Sequence, residues 1–116
     1  MERDDQALLG HILTTARSIL AETADISLER FEKDDVLRDA LAYRFQVIGE
    51  AASQVSRAFR AKHPEVPWAR IVGMRHRIVH DYMNVNYKIL WRTAKEDIPV
   101  LIEHMQTLVQ EGNSPK

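Results

Sequence analysis

The amino-acid sequence predicts an all-α protein, an up-and-down helical bundle of four to five helices that pairs into a two-fold dimer. Three observations carry that expectation. Apolar residues recur at steps of three and four along most of the chain, and no run shows the sustained alternation of a strand. Only four glycines and four prolines interrupt 116 residues, so the elements between them are long. One stretch also carries more apolar width than a single core uses, and such a helix often gives its surplus to a partner subunit.

The first helix is expected over about residues 5–22, capped by Asp4 or Asp5, with Leu8 or Leu9, Ile12, Ala16 and Ile19 at helical spacing. Residues 23–33 read as a polar connection. A long second helix follows over about residues 34–62. Its apolar residues Leu37, Leu41, Phe45, Ile48, Ala52, Val55 and Phe59 fall within an arc of about 80° at roughly 100° per residue. That is the seam of a bundle. Tyr43, Val47, Ala51 and Ala58 widen the stripe to one side, and this is the face expected to pair. Glu50 lies there, near Tyr43 and Gln54, as either a solvated carboxylate or a supporting site residue.

His63-Pro64-Glu65-Val66-Pro67 ends that helix. Pro67 suits a first helical position, where its missing amide donor would go unpaired anyway. The third helix is expected from Trp68 toward Val79, and a turn through residues 81–86 leads to a fourth over about 87–95. Pro99 should kink or restart it before residues 100–109. One domain then spans residues 1–111, and residues 112–116 form a flexible tail.

Composition narrows the function. A chain of 116 residues is one domain's worth and buries one core. The absence of cysteine excludes disulfides, thiolate metal sites and cysteine nucleophiles together. The opening residues Met1-Glu2-Arg3-Asp4-Asp5 are acidic and no apolar signal or membrane run follows, so a cytoplasmic protein away from membranes is expected. A net charge of −1 argues against a nucleic-acid binder, but the distribution is uneven. Residues 1–56 hold 6 Lys/Arg and 11 Asp/Glu, whereas residues 57–92 hold 8 against Glu65 and Asp81 alone, a balance of +6. Such a segment is a footprint for a polyanion. It would equally arise if the basic and acidic stretches faced each other in the fold.

The reactive side chains concentrate in Arg75-His76-Arg77-Ile78-Val79-His80-Asp81-Tyr82, and three readings compete there. His76 and His80, four apart, would share a helix face as metal ligands do. No Glu or Asp accompanies them in a HExxH arrangement and the flanking arginines would repel a cation, so neither metal nor cofactor is expected. A second reading makes the cations dipole partners at a helix end. It leaves Arg75 unexplained, because a continuous helix from Trp68 would turn Arg75 inward, where an unpaired guanidinium is costly. The third is a general-base site. Histidine has an ordinary pKa of roughly 6.5, so its neutral form can take a proton near physiological pH, and an arginine fork can hold a phosphate. On a regular helix Arg75 and His80 would stand about 140° apart at roughly 100° per residue. They converge if the helix ends or distorts before His80, or if a second subunit completes the site. The second route is the one expected here.

Arg75-x4-His80-x-Tyr82, with the polar His76 after the arginine, resembles the signature of the HEPN superfamily, and more narrowly that of the HepT-like toxins encoded beside minimal nucleotidyltransferases. Further stretches resemble the same family in order and spacing: Arg44-Phe45-Gln46-Val47-Ile48-Gly49-Glu50-Ala51-Ala52, His63-Pro64-Glu65-Val66-Pro67-Trp68, Ile71-Val72-Gly73-Met74-Arg75, Leu90-Trp91 and Asp97-Ile98-Pro99. The resemblance implies a helical homodimer with endoribonuclease activity, using Arg75 and His80 in a cleft between protomers. It implies that Tyr82 accepts AMP from a cognate nucleotidyltransferase antitoxin, silencing the enzyme. His76, Arg77, Arg44 and Glu50 are the supporting or RNA-binding candidates. The family also holds members read as non-catalytic regulatory partners of the nucleotidyltransferase, the alternative for this chain.

Overall fold

A computed structural model describes residues 2–81 and 84–113, with side chains except those of 2, 3, 75, 79–81, 84 and 110–113. The fold is all-α with one small hairpin. In order run α1 (Glu2–Thr23), α2 (Leu28–Glu32), α3 (Asp35–Gln54), α4 (Arg57–Lys62), α5 (Trp68–Val72), α6 (Met74–Ile78), strands β1 (Val79–Asp81) and β2 (Asn84–Val85), and α7 (Tyr87–Asn113). The long helices α1, α3 and α7 form the bundle. Their apolar stripes meet in one core: Leu9, Ile12, Ala16 and Ile19 of α1; Leu41, Phe45, Ile48 and Ala52 of α3; Leu90, Ala94, Ile98 and Met105 of α7. Twenty-seven residues of α7 rise about 40 Å, most of the molecule's 49 Å long axis.

Four local departures from the sequence expectation have physical causes. Residues 23–33 are not merely a connection, because they contain α2. Ser27 caps it by accepting from the Arg30 amide at 3.0 Å. Phe31, fully buried, packs on Trp91 with ring centroids 5.0 Å apart. A five-residue helix is shorter than the window in which periodicity can be read.

The long second helix is cut after Gln54. Asp34 caps its start as expected, accepting from the Leu37 amide at 3.0 Å, but Val55 turns extended and Ser56 caps a new helix, α4. Asp5 is the cause at a distance. It sits inside α1 rather than capping it, is only 3% exposed, and accepts from both the Ser56 amide (2.8 Å) and hydroxyl (2.7 Å). The apolar step from Val55 to Phe59 carries across the break, which hides it from periodicity.

The third helix is likewise two short ones, α5 and α6, divided at Gly73. A Cβ there would come within 3.1 Å of the Ala69 carbonyl oxygen, closer than it would tolerate without a shift. Conversely, α7 runs through Pro99 without restarting. An interior proline costs about 3 kcal/mol, and the stripe from Leu90 to Leu108 offsets it by burial. The same helix includes Gly112 and Asn113, and residues 114–116 of the expected tail lie outside the described residues. No helix among the described residues is long and apolar enough to cross a membrane.

Candidate active site

The segment singled out in the sequence straddles a change of structure. α6 is held to α5 by the Gly73 carbonyl, which accepts from the His76 amide (3.0 Å) and the Arg77 amide (3.2 Å). It ends at Ile78, whose side chain is fully buried beside Met74 and Ile71 in the core. From Val79 the backbone is extended. β1 pairs antiparallel with β2, Val79 opposite Val85 and Asp81 opposite Asn84, with an irregularity between the two pairs. The Asn86 amide donates to the Ile78 carbonyl at 2.7 Å, so the last residue of α6 is pinned to the first turn of α7. Asn86 in turn caps α7, its Oδ1 accepting from the Ile89 amide at 3.1 Å.

Arg75 therefore lies on a helix and His80 on a strand. The 140° separation assumed a helix continuing past Ile78, and that assumption fails. Termination before His80 removes the helical phase as a reason for drawing on a second subunit. The Arg75 and His80 side chains and the whole of Tyr82 lie outside the described residues. The inward placement of Arg75 also presumed a continuous helix from Trp68, which Gly73 breaks.

The supporting candidates divide. His76 is exposed. Arg77 is one-third exposed and uses Nη2 toward α7, donating to Thr93 Oγ1 (3.1 Å) and Asp97 Oδ2 (3.3 Å). The same Asp97 oxygen accepts from Arg70 Nη2 of α5 at 2.9 Å. One carboxylate, 19% exposed, thus ties α5 and α6 to α7 on the two sides of the Gly73 break. Arg44 turns the other way. Its Nε and Nη2 donate to the two oxygens of Glu22 at 2.9 and 2.6 Å, and those bonds, ahead of the opposing effect of partial burial, raise its pKa above its ordinary value. Arg44 serves to fasten α3 to α1, and its bonds do not run toward α6. Glu50 is exposed and accepts from Gln54 Nε2 at 3.1 Å. It borders an open groove between α1 and α3 with His11, Gln46 and Val47. Among the described residues no group of three or more His, Asp or Glu could hold a metal ion.

Of the proposed pairing face, Tyr43 is 66% exposed and Val47 half-buried, whereas Ala51 at 5% belongs to the core. The sequence assigns no site role to Arg70, Arg92, Thr93 or Asp97, because what joins them to Arg77 is the packing of α7 on α5 and α6.

Comparison with known proteins gives a consistent result. Residues 12–108 match the family model described as "Ribonuclease HepT-like". The chain is 39% identical to a Caldanaerobacter subterraneus subsp. tengcongensis protein named "Putative RNase", over 89% of this chain and 92% of that one. It is 34% identical to a Methanocaldococcus jannaschii protein of the same designation, over 90% and 96%. A Thermococcus cleftensis protein named "Probable ribonuclease HepT" is 35% identical over 87% and 92%. No solved structure shows a significant match.

Proposed function

The chain belongs to the HepT-like ribonuclease family, and from that premise we propose that it is a metal-independent endoribonuclease, the toxin of a toxin–antitoxin pair acting in the cytoplasm. The observation that carries the reading is Arg75-x4-His80-x-Tyr82 inside the family-matched span, set where α6 gives way to β1. A helix-to-strand junction takes a side chain five residues on out of helical phase, which a site needing arginine and histidine on one phosphate requires.

In the mechanism, neutral His80 takes the proton of an RNA 2′-hydroxyl. The oxyanion attacks the adjacent phosphorus, the bond from phosphorus to the 5′-oxygen breaks, and that oxygen takes up a proton as it leaves. Arg75 holds the phosphate and stabilises the charge added in the transition state. The cleft lies between two protomers paired about the Tyr43 and Val47 side of α3 and the region of α6 and the hairpin, bringing two such sets together. Silencing follows when the partner nucleotidyltransferase links Tyr82 to AMP: the phenolic oxygen attacks the α-phosphorus of ATP and pyrophosphate leaves. A bulky anionic group two residues from the base then occupies the place of the RNA phosphate. The test is cleavage of RNA by the purified chain in excess EDTA. Cleavage that vanishes under EDTA and returns with zinc or manganese restores the metal reading. A chain that receives AMP yet cuts no RNA is the regulatory partner instead.

A further inference from the structure

Beside α6, on the side facing α7, lies a shallow cleft of about 290 Å³. Arg70, Arg77 and Arg92 line it, with Thr93, Glu96 and Asp97. We infer that this cleft is a second phosphate-binding subsite, which seats the backbone of a single-stranded RNA next to the bond being cut. The inference rests on the ribonuclease reading and adds residues to it that neither the sequence motif nor the proposed mechanism uses.

Charge and donor count carry it. Three guanidiniums meet two carboxylates, leaving one positive charge, and a phosphodiester carries one negative charge. Asp97 uses a single oxygen, Oδ2, to accept from Arg70 Nη2 and Arg77 Nη2. Toward the described residues Arg70 spends one donor and Arg77 two, so each keeps others, since a guanidinium has five N–H groups in a planar fork suited to bidentate phosphate binding. Arg92 is exposed, and among the described residues it makes no hydrogen bond or ion pair. Asp97 is then a positioning residue. It draws Arg70 and Arg77, from two separate helices, to one point, while Thr93 fixes the second by a further bond. A merely structural ion pair would need one arginine for one carboxylate and would leave Arg92 without a role. Position selects RNA as the occupant. Arg77 is two residues from Arg75 and three from His80, and α6 and α7 bracket the hairpin that carries His80.

The test uses the full-length chain with His80→Ala, which keeps substrate intact, and a short fluorescein-labelled oligouridylate. Binding is read by fluorescence anisotropy as a function of salt. Each phosphate contact on a single strand contributes about 0.7 to the slope of log affinity against log salt. Arg92→Ala and Arg70→Ala should each lower the slope by about that amount. In the active chain the same changes should raise KM by more than they lower kcat. Arg92 is exposed and makes no hydrogen bond or ion pair among the described residues, so its variant is expected to stay folded, which circular dichroism checks. An unchanged slope and KM for Arg92→Ala, with RNA still cut by the parent chain, overturns the subsite and leaves the nuclease reading standing. An arginine-dependent slope on a parent chain that never cuts RNA upholds the subsite and removes the nuclease reading. A parent chain that neither binds nor cuts the oligonucleotide removes both, and arginine-dependent capture of an acidic protein alone would assign the cleft to that partner.

Discussion

In the proposed function Tyr82 is the acceptor of AMP, and that role can be separated chemically from packing or catalysis. Tyr82→Phe keeps the ring and whatever packing it provides but removes the oxygen that would carry AMP. The variant is expected to cut RNA at close to the parent rate and to gain no AMP mass when incubated with the nucleotidyltransferase and ATP. Intact-protein mass spectrometry reads this directly. A Tyr82→Phe chain that still gains AMP places the acceptor elsewhere, and one that loses cleavage assigns the hydroxyl to catalysis. Other residues show how far type and position can be read without a fold. Arg77 and Arg44 are equal candidates in the sequence, as arginines within or beside stretches that resemble the family. Only tertiary partners separate them: Arg44 is spent on Glu22, whereas Arg77 joins Arg70 at Asp97 beside the active segment. No local pattern encodes a partner 20 or 22 residues away.

Among the elements, those with long apolar stripes were legible and the short ones were not. The cores of α1 and α3 contain residues that periodicity selects, among them Leu9, Ile12, Ala16 and Ile19, and Leu41, Phe45, Ile48 and Ala52. The breaks at Ser56 and Gly73 and the added helix α2 depend on single caps and on one distant carboxylate. Two stability predictions follow from these contacts. Asp5→Ala leaves the Ser56 amide and hydroxyl without their buried acceptor, at a cost of about 1–3 kcal/mol. Phe31→Ala removes the only fully buried side chain of α2 and its contact with Trp91, at a cost of about 3–5 kcal/mol. Urea unfolding measures both, and a loss below about 0.5 kcal/mol in either would mean that the break or the short helix is not held in this way. The end of α6 belongs at this scale too. The sequence shows His80 five residues after Arg75, but a helix was the natural reading of Trp68 to Val79, since two- and three-residue strands are too short to leave a period.

For the whole molecule, one bundle carries a basic segment on α4 to α7 while an apolar, partly exposed stripe on α3 runs from Val36 through Tyr43 to Val47. Multi-angle light scattering should report a dimer at micromolar concentration, and a monomer there would remove the shared cleft. The central claim is that Arg75 and His80 cut RNA without a metal. It is tested most directly by single-turnover cleavage of a labelled RNA in excess EDTA, comparing the parent chain with His80→Ala and Arg75→Ala after each has been shown to be folded by circular dichroism. The account predicts cleavage by the parent and a loss of roughly 10²–10⁴ in rate for His80→Ala, the usual cost of removing a general base, with a comparable loss for Arg75→Ala. Undiminished cleavage by folded His80→Ala would contradict it.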